Sequence, residues 1–314
     1  VGAVTTESTG RRPGVPATIR DRIEKERVRA MSDFLTWQIG DVKITRIQEA
    51  EESGMSWVLD DATPENLRPI EWLAPHFIDA AGEARWSIHA FVVEVGSRKI
   101  VVDTCVGNDK NLPVAFWNKL STSFMADFER AGFRREEIDT VLCTHLHVDH
   151  VGWNTMLVDG AWIPTFPNAR YLVARDEWNH WRGEDDEFIR VVFAESVDPI
   201  EKAGLIDVVD QDARVCDEIR LEPTPGHTPG HVSIHIESKG EKAVITGDQT
   251  HHPCQLARPE WGSKADSDFE QAVETRRVFY ARHEAAGTLV IGTHFATPTA
   301  GRIERDGEVY KLVV

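Results

Sequence analysis

An α/β fold is predicted from two observations: short β-type runs alternate with helical segments over most of the chain, and residues able to hold metal ions gather where those runs end. At 314 residues the chain can bury a large core, as one large α/β domain or two smaller ones.

In chain order, residues 1–32 read as an addition, because Pro13 and Pro16 interrupt a polar lead before the charge-dense stretch RDRIEKERVRA. They are expected to form a short helix on a loose arm, or an upstream extension of a chain whose natural start is Met31. Residues 33–314 are taken as the main domain, and from Trp37 the texture turns to β-type runs. The first, DVKITRI (41–47), sets Val42, Ile44 and Ile47 among polar neighbours. IHAFVVEV (88–95) and KIVVDT (99–104) follow, joined at Gly96-Ser97-Arg98 as a hairpin. Residues 115–131 are predicted helical, and DTVLCT (139–144) is a buried strand. Then come the strand ARYLVA, helices near 175–182 and 186–203, and the strand runs RVCDEIRLE, HVSIHIE and KAVITGD. Ser267 with Glu270 three residues on reads as a capping box. Phe269, Ala272, Val273, Arg276 and Tyr280 recur near helical spacing behind it, and Gly287 is placed to end the helix. TLVIGTH (288–294) and the closing GEVYKLVV complete the strands.

Hydrophobic residues at 41% and charged residues at 28% are ordinary for a soluble globular protein. No stretch approaches the roughly 18 to 20 apolar residues of a membrane span, and the polar start lacks a secretory apolar segment. A cytoplasmic location without membrane association is therefore expected. A net charge of -17 repels polyanions, so nucleic acid is not an expected partner. Cys105, Cys143, Cys216 and Cys254 lie far apart without a C-x-x-C pair, and free, buried thiols are expected rather than a zinc ribbon or disulfides.

The stretch THLHVDHVGWN (144–154) places His145, His147, Asp149 and His150 at the exit of one strand. His227 falls in PTPGHTPGH between two strands, Asp248 ends AVITGD, and His294 ends LVIGTH. Strand ends on one sheet edge are where α/β folds build sites. Zinc takes four ligands, and a catalytic zinc keeps one position open. Five imidazoles and two carboxylates are too many for one ion and suit two, about 3.5 to 4 Å apart with a carboxylate between them. No G-x-S-x-G is present, so no serine nucleophile is called for.

H-x-H-x-D-H, then a separate histidine, an aspartate after an apolar strand, and a last histidine resembles the signature of the metallo-β-lactamase fold superfamily over about residues 40–300. The resemblance implies a four-layer αβ/βα sandwich, with residues 33–314 as its catalytic domain. It also implies that His145, His147 and His227 hold one metal, that Asp149, His150 and His294 hold a second, and that Asp248 bridges them. Asp103, at the end of VVD, matches an aspartate that supports the ligands in this family, although Cys105 stands where the family carries glycine; His231 is given a similar supporting role. The expected cofactors are two Zn²⁺ ions per chain, with manganese, iron or cobalt able to occupy the same N/O ligands. The implied activity is that of a binuclear hydrolase whose metal-bound hydroxide attacks an ester, lactone or organophosphate, with Asp149 moving the proton and Asp248 joining the metals.

Three residues after Asp248, acyl-homoserine lactonases of this superfamily tend to carry tyrosine; here the place is taken by His251, which resembles the methyl parathion hydrolase branch. His251 is expected to border the substrate, the other reading being that His251 and His252 are ordinary loop residues. Trp153, three residues after His150, is expected either to stack on an aromatic or apolar substrate or to pack in the core. Residues 50–86, with Met55, Trp57, Trp72 and Trp86, are expected to cover the site or form a dimer contact. A homodimer acting on a small molecule is the expected assembly. The alternatives are a mononuclear iron oxidoreductase like the persulfide dioxygenases, a hydrolytic dehalogenase of chlorinated aromatics, and a binding protein without activity.

Overall fold

The computed structural model describes residues 34–314; the expected N-terminal arm, 1–32, lies outside the described residues. Two sheets carry the fold. The first joins β1 (Thr36–Ile39), β2 (Val42–Ser53), β3 (Arg85–Val95), β4 (Arg98–Val102) and β5 (Thr140–Leu142). A small hairpin, β6 (Thr155–Val158) and β7 (Ala161–Pro164), stands apart, and β8 (Arg170–Ala174) and β9 (Ile206–Val209) complete the first sheet in the order β1-β2-β3-β4-β5-β8-β9. The second runs in sequence order through β10 (Ile219–Pro223), β11 (Val232–Ser238), β12 (Glu241–Ile245), β13 (Leu289–Ile291), β14 (Ala300–Asp306) and β15 (Val309–Val313).

The period of two along the strands dictates the layering. Phe91, Val93, Ile100, Val102 and Leu142 pack against Ile234, Ile236, Ala243, Ile245 and Ile291 between the sheets. Their neighbours Val92, Val101, Val141, Val244 and Val290 are also buried, in a second cluster with Phe124, Phe128, Phe279 and Tyr280 of the helical segments. A strand apolar on both faces needs cover on both, and helices supply the outer layers. The result is the predicted αβ/βα sandwich.

β4, β5, β8 and β9 pair in parallel, and so do β12 and β13. Parallel pairing brings the C-terminal ends of β4 and β5 to one edge and those of β12 and β13 to the matching edge of the other sheet. Asp103, the stretch from His145 to His150, Asp248 and His294 leave from these ends.

Several elements differ from expectation. Only Phe124–Arg130 of the predicted helix over 115–131 is helical. Lys119 takes a left-handed φ of 53°, and the Asn108 side chain binds both the N–H and the carbonyl of Thr122, so residues 108–122 close as a loop. The predicted helix over 186–203 is two helices, Glu187–Ser196 and Asp198–Lys202, broken where Val197 precedes Asp198-Pro199. Asp268, not Ser267, caps the helix Phe269–Ala285, its Oδ1 accepting from the Gln271 N–H at 3.0 Å. Ser267 instead gives its N–H to the His227 carbonyl. Gly287 ends the helix as expected, with φ +60°. Cys105, Cys143 and Cys254 are buried and Cys216 partly so, all as free thiols. Among the described residues no helix is long and apolar enough to cross a membrane.

Candidate metal centre

All seven residues singled out by the motif converge at this edge. Their ligand-type atoms form three overlapping groups, His145/His147/His227, His145/His150/Asp248 and Asp149/His150/His294, each with atoms within 4.8 Å of one another. A fourth group joins His251 to His227 and Asp248. Asp248 lies at the centre: its Oδ2 is 3.3 Å from His150 Nε2, 3.6 Å from His227 Nε2 and 3.9 Å from His145 Nε2, and its Oδ1 is 3.2 Å from His294 Nε2. His147 Nδ1 faces His227 Nε2 at 2.9 Å, and His294 Nε2 faces His150 Nε2 at 3.3 Å.

These separations match the chemistry of a shared cation. Two ligands about 2.0 to 2.1 Å from one tetrahedral zinc stand about 3.3 Å apart. Among the described residues, buried His145 Nε2 and Asp248 Oδ1 have no hydrogen-bond partner, an arrangement costly for polar atoms unless something else binds them. The residues therefore fit a binuclear metal site.

Electrostatics lead to the same result. Burial holds the His147 imidazole down to about 4 and those of His145 and His227 well below the ordinary histidine range, so all three offer lone pairs at neutral pH. At His150 burial acts in the same sense, but Asp248, Asp103 and Asp149 outweigh it and hold the group well above its usual value. Burial opposes, and Asp248 and Asp149 raise, His294 in the same way. Burial raises the Asp149 carboxyl, whereas His150, His294 and His251 overcome burial at Asp248 and hold it well below the carboxylate range. The carboxylates demand positive charge at this spot, and divalent cations would supply it.

The supporting residues take distinct places. Asp103 Oδ2 meets His150 Nδ1 at 2.9 Å, while its Oδ1 accepts from the Thr144 N–H. His231 does not touch the other imidazoles' ligand nitrogens. Its Nε2 accepts from the Asp248 N–H at 2.8 Å, its Nδ1 lies 3.1 Å from the Thr224 carbonyl, and burial lowers it to about 4. Gly247 permits that contact, since a Cβ there would lie 2.4 Å from His231 Nε2.

Sequence reasoning missed three carboxylates. Asp266 Oδ1 meets His227 Nδ1 at 2.9 Å. Glu177, on the helix Arg175–Gly183, accepts from the Leu146 N–H, Thr228 Oγ1 and Trp181 Nε1, tying the two histidine loops together. Glu49 is the extra residue at the β2 bulge between Gln48 and Ala50, and accepts from the Val106 and Gly107 N–H groups and from Trp153 Nε1. None lies near a motif, and only a register irregularity in β2 could have marked Glu49.

A cavity of about 220 Å³ opens onto the centre. His147, Asp149, His227, Asp248, His251 and His294 form its floor, and Met55, Trp57, Val58, Trp86, Val114, Trp117, Val148, Phe188 and Ala265 its walls. Residues 50–86 thus do cover the site, through Met55, Trp57, Val58 and Trp86, while Trp72 packs against the core. His251 lines the cavity. Trp153 does not: its ring stacks on Phe124 at 5.5 Å and its Nε1 is spent on Glu49 at 2.7 Å, so its core-packing reading replaces the stacking one. Among the described residues no lysine or arginine lines the cavity.

A family model described as the metallo-beta-lactamase superfamily matches residues 84–303. An N-acyl homoserine lactonase from Bacillus sp is 28% identical over 117 residues, which are 37% of this chain and 40% of that protein. One from Bacillus cereus is 26% identical with the same coverage. The chain thus spans about 40% of the length of these curated relatives. Among solved structures, the hydrolase AbOPH of the beta lactamase superfamily superposes with a TM-score of 0.74 at 27% identity, over 89% of this chain and 96% of that one. AidC, a dizinc quorum-quenching lactonase, superposes over the same shares with a TM-score of 0.72 at 19% identity, a likeness of fold.

Proposed function

This chain belongs to the metallo-beta-lactamase superfamily, and from that premise we propose that it is a binuclear metal-dependent hydrolase of uncharged esters, lactones or phosphotriesters bearing an aromatic or apolar group. The observation that carries the reading is the convergence of seven ligand residues at a cavity that five of them line and whose walls are apolar.

His145, His147 and His227 would hold one ion, Asp149, His150 and His294 the other, and Asp248 both, its two oxygens lying within reach of both sets. Such ions, when bound, would lower the pKa of a coordinated water toward roughly 7 and polarise an electrophilic carbonyl or phosphoryl oxygen. Asp149 borders the cavity with Oδ2 3.5 Å from His294 Nε2, placed to take up the proton released as the new bond forms. The His251 imidazole, with Nε2 3.3 Å from Asp248 Oδ2, stands beside the leaving group as a hydrogen-bonding wall.

The walls select the substrate. Trp57 packs edge-on against Trp117 at 5.7 Å and against Phe116 at 5.2 Å, and lies 5.9 Å from Trp86, making a broad aromatic surface for a flat group. An anionic group held against the walls, away from the metals, would find no cation there among the described residues, at a high desolvation cost. The similarity to N-acyl homoserine lactonases supports lactones within this range, and that to the hydrolase AbOPH supports hydrolysis.

The test is a panel of p-nitrophenyl esters, lactones, phosphotriesters and halogenated aromatics, assayed on metal-quantified protein. Two metals per chain with turnover of an uncharged aryl ester, lactone or phosphotriester is the expected result. One iron per chain with thiol-dependent oxygen uptake, or no turnover across the panel, would sink the proposal. His251→Ala should keep both metals and shift the ranking of substrates.

A further inference from the structure

We propose that Asp266, held in place by the buried guanidinium of Arg276, is the positioning residue that fixes His227 as a ligand, so that the affinity of one metal depends on this carboxylate and that of the other does not. The inference rests on the metal assignment above.

The His227 and Asp266 side chains are 1% and 0% exposed, and His227 Nδ1 lies 2.9 Å from Asp266 Oδ1. An ionised carboxylate only accepts, so the hydrogen bond puts the imidazole proton on Nδ1. Nε2 is then left with a free lone pair, directed to the point that His147 Nδ1 and Asp248 Oδ2 also face.

A buried carboxylate needs compensation, and the chain provides it. Asp266 Oδ2 accepts from the Ser263 N–H at 2.8 Å and lies 3.4 Å from Arg276 Nη2. Arg276 comes from the helix Phe269–Ala285 and is itself 0% exposed. Its Nε donates to the Gln249 carbonyl at 3.0 Å, and its Nη1 to the carbonyls of Pro259 and Trp261 at 3.1 and 3.0 Å. Gln249 directly follows Asp248. One guanidinium therefore fastens both the carboxylate behind His227 and the backbone beside the shared aspartate. A fully buried arginine bound almost entirely to carbonyls is otherwise hard to account for.

The other ligand set is braced separately. His150 leans on Asp103, and His294 Nδ1 on the Ser87 carbonyl at 3.0 Å. Neither contact touches Asp266, so removing its carboxylate while Arg276 still holds the Gln249 carbonyl should loosen one ion and spare the other.

The experiment is a competitive chelator titration of the fully metallated protein, comparing wild type with Asp266→Ala, Asp266→Asn and Asp103→Ala, with thermal melts in parallel. Wild type releasing two metals per chain establishes the parent reading; fewer than two would fail that reading independently of the variants. Asp266→Ala should make release biphasic, one metal leaving at about 10- to 100-fold lower chelator and the second as in wild type. Asp266→Asn keeps the shape and an acceptor oxygen, and should recover part of the loss. Asp103→Ala should weaken the other metal and, through Thr144 Oγ1, which lies 3.1 Å from His145 Nδ1, the first metal as well, the two being separable by the distinct absorption of the cobalt-substituted protein. If Asp266→Ala does not fold, the Asn variant decides: wild-type release of both metals overturns the proposal. Equal weakening of both, in step with a lowered melting temperature, overturns it as well.

Discussion

Asp248 is the residue on which the two ligand sets meet, with oxygens 3.6 Å from His227 Nε2 and 3.2 Å from His294 Nε2. Removing it leaves both ions short of a ligand and leaves the imidazoles crowded without their anion. Asp248→Ala is expected to lower kcat/KM by at least about 100-fold and the metal content below two per chain; full activity with two metals retained would refute its bridging role. His252 acts on stability instead. Its Nε2 lies 2.8 Å from the Phe77 carbonyl, and burial lowers it to about 4 from the ordinary 6.5. The folded-state value is the lower one, so between these pH values the unfolded chain holds a proton that the folded chain does not. The stability is present above about pH 6.5 and falls as pH drops toward 4, by about 3 kcal/mol for this group. Urea unfolding at several pH values should show a shallower acid loss for His252→Gln than for wild type. A difference between the two proteins that stays constant with pH would rule this out.

At the scale of elements, the site depends on how closely the turn after β4 meets the short helix Val148–Val151. The Thr104 N–H donates to the His150 carbonyl, the Trp153 N–H to the Thr104 carbonyl, and the Gly152 N–H to the Cys105 carbonyl, so Asp103 and His150 are registered by backbone. Gly152 allows the approach, because a Cβ there would lie 1.8 Å from the Val106 carbonyl oxygen. Gly152→Ala should force the two segments apart, costing about 3 kcal/mol and displacing His150 from Asp103. Denaturant unfolding and metal content should both register the change, and a variant as stable and as metal-rich as wild type would contradict it. The strands and the helix over 269–285 were legible because their apolar periods are regular. The 115–131 segment misled for a local reason: its composition suits a helix, but Asn108 and Lys119 give the backbone a competing set of hydrogen bonds. The same competition moved the cap from Ser267 to Asp268, since Ser267 is drawn to the His227 carbonyl.

At the scale of the molecule, the metals should act as a clamp between the two sheets, since His145 and His150 follow β5 of one sheet and Asp248 and His294 follow β12 and β13 of the other. Ions that bind only the folded state stabilise it by about 2.7 kcal/mol per site at a free concentration one hundred times Kd. Chelation should lower the melting temperature by several degrees, and zinc should restore it; an unchanged melt after verified metal removal would contradict the clamp. By itself the sequence determined the fold class and which ligand-type side chains gather at the strand ends, because ligand chemistry demands particular side chains there, and order and spacing record that demand. Only the tertiary structure decided what surrounds the centre. Asp266 reaches His227 across 39 positions of chain, and Glu49 reaches Trp153 across 104. Trp153, adjacent in sequence to the ligands, turns into the core, while Trp57 and Trp117, remote in sequence, wall the cavity. Packing is a property of space rather than of sequence distance, and a side chain's direction is settled by the partners that satisfy its polar atoms and its apolar surface.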